Sequence, residues 1–281
     1  MHAHFVLAHP EPQSFNEHMV RAGSAALGAC GWTSSVSDLY AKGFDPCERP
    51  AHYAREDEAA RFDVQAEQRL ASDAGTLPPA VMEELALLDR ADLLVLQYPM
   101  WWHLPPAMLK GWFDRVLAFG EVYASRRRFE HGRFAGKRAM VSVTVGTSAE
   151  TYAHDGRSGD IDLLLWPVHF TLAYVGYEVL RPFVAYGVEA GLRYSDPSAV
   201  EARLRAVVDD FRTALLGPTS ARPSPSTAWR SGGRTGASCR VPRFTRRSSG
   251  AGATSSWTRR AGPPRRRRQG TRPSMTLSPA S

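Results

Sequence analysis

The stretch Gln97-Tyr98-Pro99-Met100-Trp101-Trp102-His103-Leu104-Pro105-Pro106-Ala107-Met108-Leu109-Lys110-Gly111-Trp112-Phe113-Asp114-Arg115-Val116 contains the transition that decides the fold. The residues before it, 91–96, form a continuous apolar run, which is typical of a strand buried on both faces of a parallel sheet. After it, apolar residues recur at helical spacing, and two prolines stand where a helix begins. The stretch therefore predicts strand, loop and helix, with the loop at the strand's carboxyl end, where open α/β sheets bind ligands.

The predicted loop is chemically unusual because it carries large flat side chains on a segment that should be exposed. Its residues are Pro99, Met100, Trp101, Trp102 and His103. A flat aromatic cofactor would bury them, and so would a partner interface or a capped edge of the core. The residues alone favour neither explanation over the other.

Strand and helix patterns alternate along the chain, which is typical of a doubly wound parallel sheet. No strand is followed by the glycine pattern G-x-G-x-x-G, so a flavodoxin-like strand order is favoured over the dinucleotide-binding Rossmann order. Residues 40–79 have no clear periodicity and are predicted to form a long irregular loop. The predicted strands are 4–8, 32–39, 91–96, 138–145 and 177–186, and the predicted helices begin near Ser14, Ala80, Pro105, Asp160 and Pro197.

The charge of the chain divides it into two parts. Of its 35 lysines and arginines, 14 arginines follow Gly217. The 21 before them face all 28 acidic residues, so residues 1–217 carry a net charge of about −7. This body has no excess of positive charge to attract nucleic acid. The predicted organisation is one α/β domain over 1–217 and a tail over 218–281.

The tail is rich in Arg, Ser, Pro and Gly and is predicted to be disordered because it cannot bury a core. It is either an electrostatic segment for nucleic acid or membrane, or the product of a frameshift in a GC-rich gene, and the total absence of acids favours the second. The three cysteines match no disulfide framework and no metal spacing. With no signal or spanning segment, a soluble cytoplasmic protein without membrane insertion is expected.

Three segments together resemble the NAD(P)H:quinone oxidoreductases of the DT-diaphorase type. They are 97–116, the segment Leu7-Ala8-His9-Pro10-Glu11-Pro12-Gln13-Ser14-Phe15-Asn16, and Ser142-Val143-Thr144-Val145-Gly146 followed by Tyr152 and Leu165-Trp166-Pro167. Their order and spacing match the family over roughly residues 3–217. The resemblance implies a flavodoxin-like fold and a homodimer with sites between subunits. The apolar helix predicted over 160–175 supports an interface.

The resemblance implies a flavin enzyme, with FAD as cofactor and FMN as the alternative. NAD(P)H would pass a hydride to flavin N5, and a quinone would then take the same place and be reduced. Nearby alternatives are an FMN-dependent azo or nitro reductase and a regulatory reductase of a potassium-efflux system. A non-catalytic flavodoxin-like electron carrier is the alternative from another class.

The first loop supplies candidate phosphate ligands. Free N–H groups at the start of the first helix, with the hydroxyl of Ser14 and the amide of Asn16, suit the phosphates of a flavin. The resemblance places His9, Phe15 and Asn16 at positions that hold the pyrophosphate of FAD.

The other two segments supply the candidate ring site. The resemblance places the backbone of Met100 to His103 along the flavin ring, with Trp102 and His103 packed on it. Small residues over 144–147 let the backbone approach the ring edge. Tyr152 matches the family tyrosine whose phenol stabilises the negative charge of the reduced flavin, and it is the candidate catalytic residue. The remaining candidates are Pro99, Trp101, Thr144, Val145, Gly146 and Thr147.

The chain also departs from the family. Ser158 stands where the mammalian enzymes have a histidine, and serine cannot take up a proton near pH 7. Water or a neighbour such as His154 would have to compensate. Asp63 lies near the position of the family's adenine-contacting glutamine, so the choice of FAD over FMN rests mainly on the first loop.

Overall fold

A parallel sheet with helices on both faces forms the described part of a computed structural model, which comprises residues 1–55, 61–189 and 196–217. These residues belong to one compact unit. The predicted tail, 218–281, lies outside them. The strands are β1 (His2–Leu7), β2 (Thr33–Asp38), β3 (Leu93–Pro99), β4 (Arg138–Thr144), β5 (Glu178–Val179) and β6 (Phe183–Ala185).

The strand order is β2-β1-β3-β4-β5, and β6 also pairs with β4. All the pairs are parallel. This order is the predicted flavodoxin-like one, and it confirms the predicted fold class. Every residue of β3 is buried, as its continuous apolar run indicated.

The helices are α1 (Phe15–Ala29), α2 (Val64–Ala74), α3 (Pro79–Arg90), α4 (Ala107–Val116), α5 (Ile161–Tyr174) and α6 (Pro197–Leu216). Side chains cap α1 and α6: Ser14 Oγ accepts from the N–H of Glu17, and a carboxylate oxygen of Asp196 accepts from that of Ala199. These bonds satisfy N–H groups that the first turn leaves open. None of the described helices combines the length and apolar character needed to cross a bilayer.

The sheet has a separate apolar core on each face. One core joins Phe5 and Leu7 of β1 to Met19 of α1 and Phe211 of α6. The other core is larger and takes in buried side chains of α3, α4 and α5. Because side chains alternate along a strand, each buried strand contributes to both cores.

Two elements differ from the sequence prediction. Residues 40–79 include α2, which Asp63 caps and Gly75 ends at φ +68°. Only Gln68 and Ala71 of this helix are buried, so it has almost no apolar stripe to detect. The predicted fifth strand, 177–186, is two short strands that pair with β4. Pro182 lies between them, where a missing N–H interrupts a ladder.

Candidate functional site

Three loops meet at the carboxyl end of the sheet, because β1, β3 and β4 are parallel neighbours. In register, Leu7 lies opposite Gln97, and Pro99 lies opposite Thr144. The loops that follow these strands therefore start at one edge. The ring of His9 from the first loop lies 6.1 Å from that of Trp101 in the second. The structure thus brings the three predicted segments together.

The first loop is fixed by its own side chains. His9 Nδ1 accepts the backbone N–H of Glu11 at 3.0 Å. The backbone N–H of Ser14 donates to the carbonyl of Glu11, and the Ser14 hydroxyl caps α1. Phe15 stacks on His18 with ring centroids 6.2 Å apart. His9 and Ser14 therefore shape the loop that leads into the first turn of α1.

The second loop is a tight hairpin turn. The backbone N–H and carbonyl groups of Trp101 and Leu104 bond to each other, both at 3.0 Å. The two residues between them, Trp102 and His103, have φ of +52° and +64°. Positive φ at both central positions suits Asn-Gly, and larger residues are strained there. Trp102 is 93% exposed, so this turn presents a flat side chain at the site.

The third loop continues the sheet edge beyond β4. The backbone N–H of Val145 donates to the carbonyl of Ala185, and that of Gly187 donates to the carbonyl of Thr147. A Cβ added to Gly146 would meet only the carbonyl oxygen of Val188, at 3.8 Å. The side of the loop where Gly146 stands is therefore open to another group.

Backbone donors in the second and third loops remain available. Among the described residues, the N–H groups of Trp102, His103, Gly146 and Thr147 have no acceptor. A flat heterocycle with acceptor atoms along one edge suits such donors, because unpaired N–H groups are unfavourable once covered. The residues present therefore fit the ring of a flavin.

Two of the predicted cofactor residues are turned inward. Asn16 and Thr144 are 3% and 4% exposed, and Asn16 Nδ2 donates to Thr144 Oγ1 at 3.1 Å. Gln97, also buried, donates to Asn16 Oδ1 at 2.8 Å. Asn16 and Thr144 are therefore bonded within the protein, whereas Gln97 Oε1 has no hydrogen-bond partner among the described residues. Pro99, the last residue of β3, is buried as well.

Tyr152 closes the third loop. It ends a short 3₁₀ turn, and its ring lies 6.2 Å from that of Tyr186, which follows β6. Desolvation by burial raises the pKa of Tyr186. Tyr152 as a whole is half-buried. Tyr186 was not among the predicted site residues, because the predicted strand over 177–186 showed only an apolar pattern.

The segment after Tyr152 brings a histidine to the start of α5. His154 Nδ1 lies 2.9 Å from a carboxylate oxygen of Asp160, the residue that caps α5. This hydrogen bond raises the pKa of His154. Ser158 donates its backbone N–H to the carbonyl of Thr151. Of the two, only His154 can carry a proton near neutral pH.

Helix α5 exposes part of its apolar surface. Leu163, Trp166 and Phe170 are 61%, 44% and 39% exposed, and the rings of Trp166 and Phe170 stack at 4.8 Å. Beside this helix runs a groove of about 770 Å³ that Tyr123 and Tyr174 help to line. A contiguous apolar patch of this kind is typical of an interaction surface.

Known proteins resemble this chain in sequence and in structure. A family described as having a flavodoxin-like fold matches residues 1–209. NAD(P)H dehydrogenase [quinone] 1 of Cavia porcellus is 39% identical over 185 residues, which are 65% of this chain and 67% of that protein. Ribosyldihydronicotinamide dehydrogenase [quinone] of Mus musculus is 37% identical over 186 residues, 66% of this chain and 80% of that protein.

Solved structures agree with the sequence relatives. An NAD(P)H:quinone oxidoreductase of Methanothermobacter marburgensis superposes with a TM-score of 0.56 at 28% identity, covering 76% of this chain and 95% of that one. A Klebsiella pneumoniae protein thought to be a quinone reductase gives a TM-score of 0.69 at 31% identity, covering 79% of this chain and 86% of that one.

Proposed function

We propose that this chain, which belongs to the flavodoxin-like fold family and within it to the NAD(P)H:quinone oxidoreductases, reduces quinones through bound FAD. The electrons would come from a reduced nicotinamide. The observation that carries the proposal is the set of backbone N–H groups in the loops after β3 and β4 that have no acceptor among the described residues, beside the exposed ring of Trp102. A bound flavin would supply reversible two-electron chemistry at this edge.

The residues of the three loops have separate tasks in this proposal. The first turn of α1 receives the phosphates, because its free N–H groups and helix dipole favour an anion. The N–H groups of Gly146 and Thr147 hold the polar edge of the ring. The hydroxyl of Tyr152 donates to the same edge and favours the charge that develops there on reduction.

Reduction of a quinone to a hydroquinone also requires protons. Among the described residues between Tyr152 and α5, His154 is the side chain whose ordinary pKa lies nearest neutrality. Its contact with Asp160 keeps it protonated to higher pH. We therefore assign proton supply at the site to His154 and water, since Ser158 cannot take this role.

We propose a homodimer in which the exposed face of α5 is covered by a second copy. The apolar patch around Trp166 and Phe170 and the neighbouring groove support this assembly. We also propose a cytoplasmic location, where reduced nicotinamides are produced. Light scattering on the purified chain should give the mass of a dimer, and a monomer mass at micromolar concentration would contradict it.

The cofactor and the reaction can be tested on the purified full-length chain. It should be yellow, and the released cofactor should have the mass of FAD. NADH, NADPH and ribosyldihydronicotinamide should be compared as donors. A relative named as an NAD(P)H dehydrogenase and one named as a ribosyldihydronicotinamide dehydrogenase match this chain at similar identity. One quinone should be consumed for each donor oxidised. A released mass equal to FMN would favour the azo or nitro reductase alternative, and a protein without flavin would exclude both readings.

A further inference from the structure

A buried network of three polar side chains connects elements that carry the flavin loops. Gln97 of β3 donates from Nε2 to Asn16 Oδ1 of α1 at 2.8 Å, and Asn16 donates from Nδ2 to Thr144 Oγ1 of β4 at 3.1 Å. The three residues are between 0% and 4% exposed. They form a chain of neutral hydrogen bonds directly beneath the site.

The main chain extends this network into the loops themselves. The carbonyl of Gln97 accepts the N–H of Ala8, the residue before His9, at 3.1 Å. The carbonyl of Thr144 accepts the N–H of Met100 at 2.9 Å. These main-chain bonds join the start of the first loop to β3 and the start of the second to β4, beside the side-chain network. The network touches all three loops of the site.

The apolar core does not require an amide at this position. Leu7 lies opposite Gln97 in β1, on the same face of the sheet, and is part of an apolar cluster. Burying an amide is unfavourable unless it is hydrogen-bonded, and an apolar side chain of similar size would avoid that penalty. What the amide adds is a fixed alignment between α1 and β3, since hydrogen bonds are directional.

We propose that Gln97 is a positioning residue that, through Asn16 and Thr144, keeps the phosphate end and the ring end of the flavin site aligned. The inference rests on the proposed function, because it requires a flavin that reaches from α1 to the loop after β4. With the alignment intact, a flavin that bears phosphates contacts both ends at once. Without it, the phosphate end and the ring end each still bind their own part of the flavin. They bind both parts of one flavin less tightly, because they are no longer aligned.

This alignment can be measured by comparing the affinities of the protein for two flavins, riboflavin and FAD. Riboflavin has the ring but no phosphate, so it should report on the ring end alone. FAD reports on both ends. In Gln97→Met, which keeps the length of the side chain and removes the amide, the affinity for FAD should fall roughly five- to tenfold, the value of one buried hydrogen bond. The affinity for riboflavin should change less than about twofold.

The experiment is a fluorescence titration of flavin-stripped, full-length protein with FAD and with riboflavin. Ser142→Ala is the matched control. Ser142 lies opposite Gln97 in β4 and is fully buried, and its hydroxyl has no hydrogen-bond partner among the described residues. It should bind both flavins as the parent does. Thr144→Val removes the far end of the network and should behave like Gln97→Met.

The outcomes separate the inference from the proposed function. If Gln97→Met loses affinity for FAD and riboflavin equally, the amide is only a part of the core and the inference is wrong. Unchanged affinity for both flavins overturns it as well, even while the parent reduces quinones. If Gln97→Met does not fold, the result of Thr144→Val decides in the same way. A parent that binds no flavin overturns the proposed function and the inference together.

Discussion

Two regions of the molecule treat their polar groups in opposite ways. In the charged cluster beneath the sheet, the buried carboxylate of Glu84 accepts from Ser37 Oγ at 2.7 Å, Lys42 Nζ at 2.6 Å and Trp112 Nε1 at 2.9 Å. Both of its oxygens are therefore hydrogen-bonded. A buried charge needs this degree of pairing, because leaving it unpaired costs several kcal/mol.

The loop rim, which comprises residues 100–104 and 145–147, instead leaves backbone donors open at the surface. Among the described residues, four of its backbone N–H groups have no acceptor, and two of its non-glycine residues have positive φ. The four N–H groups belong to exposed residues and can bond to water, so they cost little until a ligand covers them. Each positive φ at a non-glycine residue costs about 1–3 kcal/mol. The charged cluster therefore stabilises the fold, whereas the rim holds backbone strain and open donors that the proposed flavin would use.

The largest effect should come from the charged cluster. Glu84→Gln keeps the size of the side chain and removes its charge, so Lys42 loses its buried partner and the hydrogen bonds weaken. We expect the free energy of unfolding to fall by about 3–5 kcal/mol, measured by chemical denaturation. The affinity of the folded protein for flavin should stay within about twofold of the parent. If Glu84→Gln lost flavin affinity as strongly as stability, the charged cluster would also serve binding, and the contrast with the rim would be wrong.

The control for this prediction lies one residue away. Glu83 also contacts Lys42, at 2.7 Å, but its side chain is 61% exposed. An exposed ion pair contributes little because water screens it. Glu83→Gln should lower the free energy of unfolding by less than about 1 kcal/mol.

Acid should act next most strongly, through two buried histidines. Burial lowers the pKa of His4 and of His169 to about 4. The unfolded chain takes up these protons near pH 6.5, so between pH 6.5 and 4 it binds more protons than the folded chain. Stability is therefore complete above pH 6.5 and is lost as the pH falls towards 4, by on the order of 3 kcal/mol for each histidine.

A variant at His169 separates its share of the pH dependence from that of His4. His4 lies near Glu84, whose charge opposes the effect of burial, whereas burial alone lowers the pKa of His169. His169→Met should make the free energy of unfolding less dependent on pH between 6.5 and 4. A pH profile that matches the parent's would show that His169 is already protonated, or equally accessible to protons, in the folded chain.

The sequence predicted the sheet and its helices because their patterns are strong. The continuous apolar run of β3 and the helical spacing of α4 follow directly from burial on a sheet. The second site loop was predicted from its place after a buried strand, and the resemblance to the quinone oxidoreductases joined it with the other two loops. Helix α2 was not predicted, since it buries only Gln68 and Ala71 and its helical signals are polar caps.

The finer structure of the site could not be read from the sequence. That Asn16 and Thr144 face inward depends on the distance between α1 and β4, which no local pattern encodes. Gln97 directly follows the apolar run, and no local pattern indicates that its amide is hydrogen-bonded to Asn16. The positive φ of Trp102 and His103 also had no signal, because turns with both central residues in this region usually contain Asn or Gly.

The third prediction concerns Tyr152 at the edge of the rim. Tyr152→Phe keeps the ring and its contact with Tyr186 and removes only the hydroxyl. Loss of one donor to a developing charge costs about 1–3 kcal/mol, which is roughly a five- to hundred-fold slower reduction of the flavin by NAD(P)H. Stopped-flow absorbance measures this rate. Stability and flavin content should not change, and a parental rate would mean that Tyr152 is an ordinary loop residue.

The smallest effect should come from relieving the strain of the rim, and it should have the opposite sign to that of Glu84→Gln. His103 has φ of +64°, where a Cβ costs about 1–2 kcal/mol. Glycine removes that penalty but gives about 0.5–1 kcal/mol back through the entropy of the unfolded chain. His103→Gly should therefore raise the free energy of unfolding by about 0.5–1 kcal/mol.

The same change should weaken binding, because the turn loses a side chain beside the ring and part of its rigidity. We expect roughly a two- to fivefold lower affinity for flavin, consistent with the loss of one ordinary contact. His103→Ala is the control: it removes the imidazole and keeps the strained Cβ, so it should weaken binding without any gain in stability. If His103→Gly and His103→Ala are equally stable, the positive φ stores no strain. The contrast between the charged cluster and the rim would then rest on the unpaired N–H groups alone.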